Sequence, residues 1–211
     1  MTDASGGRYP SGQRSDGRYG LRSVTVLSAG AGIVVVAGAL AYRGLLSGAL
    51  APDLGVGRRT RALGPLQVVV AAPRETVFDV IAGPYLGRTP RAMADSLLVL
   101  DRGTDLVLAA HYTPLRGGGR ATTVETVRFT RPSRVDFRLV RGPVPHVVET
   151  FVLTDEDPAT TRLAYTGELG TDLGAIGQWW GDRVAPVWEA AVAHTFRSVA
   201  AEAERRAGTH D

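Results

Sequence analysis

The chain of 211 residues contains no cysteine, no lysine and no asparagine. The absence of cysteine excludes a disulfide framework, a thiol nucleophile and a thiolate metal site. All 24 positively charged side chains other than histidine are arginines, which we attribute to a bias in coding composition. A chain of this length can form one sizeable domain and one additional segment.

Motifs of nucleophilic, metal-dependent and nucleotide-dependent catalysis are also missing. The glycine run 117–119 is followed by Arg-Ala instead of Lys-Ser or Lys-Thr, so it predicts a turn and not a phosphate-binding loop. The four histidines show no metal-ligand spacing, and no Gly-x-Ser-x-Gly motif occurs. We therefore expect neither a metal nor a cofactor.

Positive charge is unevenly distributed along the chain. Residues 1–63 carry eight arginines and three aspartates, a net charge of +5, whereas residues 64–211 carry sixteen arginines and eighteen acids, a net charge of −2. A nucleic-acid groove needs a basic face on the folded domain itself. The basic excess instead flanks an apolar segment, so we expect no nucleic-acid partner.

The N-terminal part consists of a polar tail and one long uncharged segment. Residues 1–22 are rich in glycine, serine and arginine, a composition typical of a disordered basic tail. Residues 23–42 carry no charge, and Arg22 and Arg43 flank them. This length suffices for a helix to cross the hydrocarbon core of a bilayer. We therefore predict a single transmembrane helix at 23–43 and a membrane location.

Two alternatives around this segment stay open. Ala-Leu-Ala at 49–51 resembles a signal-peptidase site, so a cleaved signal peptide competes with the uncleaved anchor, although Pro52 should hinder cleavage. Arginines are balanced on the two sides of the segment, so the positive-inside rule assigns no orientation. Residues 44–63 form a predicted linker. Its basic cluster 58–61 is either a stop-transfer signal or an exposed run of surface charge, or else a contact for anionic lipid headgroups.

From residue 64 the pattern becomes that of one folded domain, predicted at 64–207. The run 66–72 predicts a strand, and Pro73 suits the first turn of a short helix that Gly83-Pro84 should end, before a second short turn of helix. Short turn sequences then separate six more strands, and hairpin links of this kind imply an antiparallel sheet. The six predicted strands are 95–102, 105–114, 120–130, 133–141, 146–154 and 161–169.

The segment 172–207 is predicted to form one long C-terminal helix, because apolar side chains recur along it at three- and four-residue steps. Asp172 is expected to cap its first turn and Gly208 to end it. A sheet of seven strands must curl, so we expect an α+β fold in which the sheet wraps around this helix and leaves a ligand-sized hollow. The predicted apolar face comprises Ile176, Trp180, Val184, Val187, Trp188, Ala191, Val192, Phe196, Val199 and Ala203.

The opening LQVVVAAPRETVFDVIAG, with the hairpin strands and the tryptophan-containing helix that follow, resembles the helix-grip superfamily. That superfamily includes START lipid-transfer domains, Bet v 1-like plant proteins and polyketide cyclase/dehydrase-like bacterial proteins. The resemblance covers 64–207 and is most specific in Ala-Pro-x-Glu-x-Val-Phe-Asp-Val, while a tryptophan common near 87–91 is missing. It implies a helix-grip fold, a curved seven-stranded antiparallel sheet holding a hydrophobic ligand against the helix, and no shared set of catalytic residues.

Alternation along the strands assigns side chains to the hollow. A tight turn at 131–133 would pair Phe129 with Val135 and Glu125 with Leu139, which points Glu125 inward. In the next strand Glu149 faces the same side, unless the turn at 142–145 slips by one residue, and that register is left open. The predicted ligand-binding residues are Thr123, Glu125, Val127, Phe137, Leu139, Glu149, Phe151, Tyr165, Trp180, Val184 and Trp188.

The two inward carboxylates define the candidate chemistry. Buried acids have raised pKa values and can act as general acids or bases, so the candidate catalytic residues are Glu125, Glu149, His111 and Tyr165. One strand separates the acids, which places them roughly 10 Å apart and requires no dyad. The alternatives are that Arg141 neutralises one acid, or that either acid lies in water at the mouth of the hollow.

Three functions are compatible with these patterns. The favoured one is membrane-anchored binding or transfer of a hydrophobic small molecule or lipid, because the anchor would place the hollow where apolar ligands concentrate. The second is a polyketide cyclase/dehydrase-like enzyme that uses the cavity carboxylates. The third is a non-catalytic interaction module at the membrane with a filled core. The identity of the ligand and the oligomeric state are not determined by the sequence.

Overall fold

A seven-stranded sheet and a long C-terminal helix form the main body of the computed structural model, which describes residues 37–45, 47–50, 53–87, 89, 93–114 and 119–209. Residues 37–45 are helical. The remaining elements in chain order are β1 (Arg59–Val70), α1 (Arg74–Leu86), β2 (Leu97–Arg102), β3 (Leu106–Pro114), β4 (Arg120–Thr130), β5 (Arg134–Arg141), β6 (His146–Asp157), β7 (Thr160–Thr171) and α2 (Ala175–Ala207).

The strands form one sheet in the order β1-β7-β6-β5-β4-β3-β2, and every neighbouring pair is antiparallel. Strands β2 to β7 are joined by hairpins, and β1 closes the sheet by pairing with the last strand. This confirms the predicted antiparallel sheet. The ends of the six predicted hairpin strands agree with β2 to β7 to within three residues.

The predicted register of the β4–β5 hairpin is confirmed, since Phe129 pairs with Val135 and Glu125 with Leu139. The register left open for the next hairpin is also resolved, because Glu149 of β6 pairs with Phe137 of β5. Both acids therefore lie on the concave face with the apolar side chains of their strands. Residues of that face pack against α1 and α2 to form the core.

Helix α2 packs on the sheet through a face that contains glycines. Three residues that were predicted to lie on its buried apolar face are exposed instead. Ile176 is 73% exposed and Val187 57% exposed, and Ala191 is exposed as well. The cause is the close approach of the first turns to β7: a Cβ on Gly181 would lie 3.2 Å from the Thr171 side chain. Because the glycine side of the helix faces the sheet, Ile176 points away from it.

The first strand begins at Arg59, earlier than the predicted start at residue 66, so residues 59–63 of the predicted linker belong to the sheet.

The prediction that Asp172 caps α2 is wrong. The cap position is Gly174, which makes no side-chain cap hydrogen bond. The carboxylate of Asp172 instead accepts hydrogen bonds from the backbone N–H groups of Leu54 and Gly55, at 2.6 and 2.8 Å, and from Arg58 Nε at 2.7 Å.

Helix α1 continues through Gly83-Pro84 to Leu86, so the predicted stop at these residues is wrong. Pro84 removes one backbone donor near the end of the helix, and the apolar ring is buried in the core. Of the second predicted helical turn, at 84–90, residues 88 and 90 lie outside the described residues.

The predicted basic tail at 1–22, and the predicted membrane helix as far as residue 36, also lie outside the described residues. Among the helices that the structure does describe, none has both the length and the apolar character needed to cross a bilayer.

Candidate functional site

Two carboxylates are buried on the concave face of the sheet. Glu125 on β4 is 4% exposed and Glu149 on β6 is 7% exposed. Strand β5 runs between them, since its Leu139 pairs with Glu125 and its Phe137 with Glu149. Alternation along β4 and β6 places both acids among apolar neighbours, where an ionised carboxylate is costly unless it is paired or hydrogen-bonded.

Glu149 is held by two donors that meet at one of its oxygens. The Tyr165 hydroxyl donates to Oε1 at 2.8 Å, and the Trp188 indole N–H donates to the same oxygen at 2.7 Å. Tyr165 comes from β7 and Trp188 from α2, so this contact joins the sheet to the helix. Burial, and after it the negative charge of Glu125, raise the pKa of Glu149 to about 7. This carboxyl group can therefore gain or lose a proton near neutral pH.

A glycine on β7 makes room for this contact. Gly167 pairs with Glu149 across the sheet. A Cβ at this position would lie 3.1 Å from the Tyr165 hydroxyl and 3.2 Å from Cγ of Glu149. The absence of a side chain therefore lets the two polar groups approach each other.

Glu125 belongs to a second polar cluster, which contains a histidine and a tyrosine. His111 Nδ1 lies 3.1 Å from Glu125 Oε2, and His111 Nε2 lies 3.2 Å from the Tyr85 hydroxyl. Burial alone would raise the pKa of Glu125, but the charge and hydrogen bond of His111 and a hydrogen bond from Thr123 outweigh it and lower that pKa. Burial opposes the charge of His111, but the charge and hydrogen bond of Glu125 and the charge of Glu149 together outweigh it and raise the pKa of His111. The two groups form an ion pair when His111 is protonated.

Arg141 does not neutralise either acid, so the alternative proposed from the sequence is wrong. A β-bulge between Val124 and Glu125 shifts the pairing of β5, and Arg141 therefore pairs with Val124. Its guanidinium group donates to the backbone carbonyls of Gly48 and Ala49. Arg141 thus binds the segment that precedes the domain.

Aromatic side chains form an apolar wall next to these polar groups. Ring centroids lie 4.9 Å apart for Phe137 and Phe151, 5.1 Å for Phe151 and Phe196, and 5.8 Å for Phe151 and Tyr165. Among the predicted ligand-binding residues, the buried ones are Val127, Phe137, Phe151, Tyr165 and Val184 in addition to the two acids. The half-buried ones are Thr123, Leu139, Trp180 and Trp188.

Accessible surface is retained at one end of the concave face. The side chain of His111 is 23% exposed, and Thr123, which pairs with it on β4, is half-buried, as is Leu139 on β5. Deeper on the same face, Val107 and Val127 are 2% and 0% exposed. Side-chain exposure on this face therefore increases toward the end of the sheet where His111 and Thr123 lie.

A cavity of about 370 Å³ lies between the start of β1 and the first turns of α2. Its lining is largely polar and includes neither Glu125 nor Glu149. In it Arg61 pairs with Asp182 at 2.9 Å, and Arg59 donates to Gln178 at 2.7 Å.

Within the described residues, no three metal-ligating side chains converge on one point.

The sequence matches no family model and no curated protein, but solved structures share its fold. The Zhui aromatase/cyclase from Streptomyces sp. R1128 superposes with a TM-score of 0.59 and 20% identity, over 70% of this chain and 96% of that one. The chain has the Bet v 1-like helix-grip fold. Norcoclaurine synthase from Thalictrum flavum, in complex with dopamine and hydroxybenzaldehyde, gives a TM-score of 0.56 at 12% identity, over 74% of this chain and 90% of that one.

The helix-grip fold also occurs in StfQ, a di-domain aromatase/cyclase from the steffimycin biosynthetic pathway, with a TM-score of 0.57 and 14% identity. The match covers 72% of this chain and 52% of StfQ, so it spans about half of that protein. At these identities the similarity establishes the fold, and the activity must be argued from the residues of the site.

One member of the site in this helix-grip domain was missed by the sequence analysis. Tyr85 lies on α1 after Gly83-Pro84, where the sequence predicted the end of the helix. Because α1 continues to Leu86, the Tyr85 ring reaches the concave face and packs 6.3 Å from Phe137. Burial raises the pKa of Tyr85 above its ordinary value, as do the charges of Glu125 and Glu149. A prediction that α1 continues through Pro84 would have placed Tyr85 on the concave face.

Proposed function

We propose that this protein binds or transfers an apolar small molecule or lipid between the sheet and α2. The observation that carries this proposal is the change in side-chain exposure along the concave face. The face has a buried aromatic wall at Phe137 and Phe151 and partly exposed polar groups at His111 and Thr123. Apolar walls with a few convergent polar groups are the usual lining of small-molecule sites. The norcoclaurine synthase of the same fold was solved with two small aromatic molecules bound, which supports this use of the fold.

We further propose that binding takes place at a membrane, through the apolar segment 23–43. An exposed apolar stripe along α2, which begins with Leu173 just before the helix, supports this. Leu173, Ile176, Trp179 and Val187 are 50%, 73%, 55% and 57% exposed, and the Arg183 guanidinium lies 3.7 Å from the centre of the Trp179 ring. Tryptophan and arginine are well suited to the headgroup region, because each combines an apolar surface with a polar end.

Native mass spectrometry of the full chain in a non-ionic detergent tests the ligand-binding proposal. We expect the protein to retain an apolar molecule, which organic extraction then identifies. If the protein carries no such molecule and also fails to bind the neutral apolar dye Nile red, the domain is an interaction module with a filled core.

Quenching by brominated lipid tests the membrane contact. In the full chain reconstituted into vesicles, we expect brominated lipid to quench Trp179, and the variant Trp179→Phe to lose most of the quenching. Trp180→Phe is the matched control, since Trp180 is half-buried and donates its N–H to the carbonyl of Pro143 at 2.8 Å. If Trp179→Phe leaves the quenching unchanged, the stripe does not touch the bilayer.

A second candidate function, a polyketide cyclase/dehydrase-like enzyme, is favoured by the contacts of the two acids. The Glu125–His111 pair with Tyr85 could accept a proton from a bound substrate, and Glu149, whose pKa is about 7, could donate one. Structures of the same fold include aromatase/cyclases. Turnover of a polyketide-like or isoprenoid-like substrate should fall by about 100-fold or more in Glu125→Gln and Glu149→Gln. Turnover that survives both substitutions would remove this function.

A further inference from the structure

The charges on the concave face restrict the kind of molecule that fits there. In the described part of the chain, His111 is the only basic group whose charge acts on Glu125 or Glu149. His111 is already paired with Glu125 at 3.1 Å, so the charge that His111 carries when it is protonated is offset by the charge of Glu125. Glu149 has no cationic partner among the described residues, and its two hydrogen-bond donors are uncharged.

The arginines at the end of the sheet beside the first turns of α2 are engaged elsewhere. Arg141 donates to the backbone carbonyls of Gly48 and Ala49. Arg61 pairs with Asp182, and Arg59 donates to Gln178. A ligand carboxylate between sheet and helix would therefore meet a carboxyl group with no positive charge to offset its own.

The free oxygen of Glu149 shows what the site does accept. Tyr165 and Trp188 both donate to Oε1, and no described residue donates to Oε2. A carboxylate oxygen that lacks a donor is a strong acceptor. A ligand hydroxyl or amine can supply the missing donor, whereas a ligand carboxylate adds a second negative charge in an apolar surrounding, which is strongly unfavourable.

We propose that the site selects apolar molecules whose polar end is a hydrogen-bond donor, a hydroxyl or an amine, and excludes molecules that end in a carboxylate, with Oε2 of Glu149 as the contact. This inference deepens the proposed binding function and rests on it. Glu149 acts as the specificity-determining residue.

Competition between ligands with the same alkyl chain tests the selection. The full chain in non-ionic detergent at pH 8 is incubated with equimolar dodecan-1-ol and dodecanoate, or with dodecylamine and dodecanoate, and the complexes are resolved by native mass spectrometry. We expect the alcohol and amine complexes to exceed the dodecanoate complex by about tenfold or more. Glu149→Gln should lower the amine-to-dodecanoate ratio by about fivefold or more, since the amine loses its negatively charged acceptor.

Glu168→Gln is the matched control. Glu168 lies on the neighbouring strand with its side chain 47% exposed and paired with His146, so its replacement should leave both ratios unchanged. Comparison between variants in one detergent also cancels the unequal partition of the ligands into micelles.

The possible failures are distinguishable. Binding of all three ligands with ratios near one, or preferential binding of dodecanoate, would overturn the selection while leaving the binding function intact. Equal ratios in Glu149→Gln and the unsubstituted protein would remove Glu149 as the contact. If none of the three ligands nor Nile red binds, the proposed function fails, and the inference fails with it.

Discussion

Replacement of Glu149 by glutamine should change how the stability of the protein depends on pH. The pKa of Glu149 is about 7 in the folded protein, against an ordinary value of 4.5. Between these two pH values the folded protein binds a proton that the unfolded chain does not. Stability therefore falls as pH rises from 4.5 to 7, and the loss is complete above pH 7. A shift of this size corresponds to about 3 kcal/mol.

Glutamine removes the proton and keeps the geometry, because its carbonyl oxygen can accept from both Tyr165 and Trp188. We expect the free energy of unfolding of Glu149→Gln not to show this decline between pH 5 and pH 8. At pH 8 the variant should exceed the unsubstituted protein by up to about 3 kcal/mol. Urea unfolding of the full chain at the two pH values, followed by circular dichroism, measures both quantities.

His111 titrates in an overlapping range, so the comparison must be made between variants. Its pKa is raised in the folded protein, so the stability that its protonated form contributes is present below about pH 6.5 and is lost as pH rises through the folded value. Most of that contribution is common to Glu149→Gln and to the control Glu168→Gln, because the charge of Glu149 is the smallest of the causes that raise the pKa of His111. If the decline persists in Glu149→Gln, or if Glu168→Gln abolishes it equally, burial of Glu149 is not its cause.

Four further substitutions test other parts of the account. Gly167→Ala should lower the free energy of unfolding, measured by urea unfolding, by about 1–3 kcal/mol through crowding of the sheet. Gly83→Ala is the contrasting change: apart from its chain neighbours an added Cβ meets nothing within 4 Å, and the gain in helix propensity is offset by the contact of that Cβ with the ring of Pro84, so the free energy of unfolding should change by less than about 1 kcal/mol. Asp172→Asn should lower the free energy of unfolding by about 2 kcal/mol at pH 7. The pKa of Asp172 is lowered to about 2, so its stabilising contribution is present above about pH 3.8 and is lost as pH falls through 2. The difference between the variant and the unsubstituted protein should therefore shrink in acid. Trp188→Phe removes one donor to Glu149 and should move the pH midpoint of the stability change upward; an unchanged midpoint would contradict the assigned contact.

The sheet could be predicted from sequence because its strands are joined by short turns and alternate cleanly. A hairpin with a tight turn has few possible registers, and once Phe137 and Val127 face inward, Glu125 must face inward too. The same rule located Glu149 through its neighbour Phe151. Local patterns therefore predicted the inward orientation of Glu125, whereas that of Glu149 also depended on the register of the turn at 142–145, which the sequence left open.

Positions that depend on contacts between distant segments could not be predicted in the same way. The helical period placed Ile176 on the buried face, but the close packing of Gly181 on β7 turns that residue outward. Asp172 looked like a helix cap, yet it binds the backbone at 54–55. Arg141 shared a face with Leu139 by alternation, and a single β-bulge changed its pairing. A bulge and a tertiary hydrogen bond leave no periodic signal in the sequence.

Photo-labelling tests the central claim, that an apolar ligand lies between the sheet and α2. The full chain in detergent is irradiated with a diazirine-bearing dodecan-1-ol, and the modified peptides are mapped by mass spectrometry. The account predicts labels in β4 and β5 at 123–139 and in α2 at 180–188, and excess dodecan-1-ol should suppress them. Labels confined to the exposed stripe at 173–179 and to the N-terminal apolar segment would show that the molecule stays outside the fold and would contradict the claim.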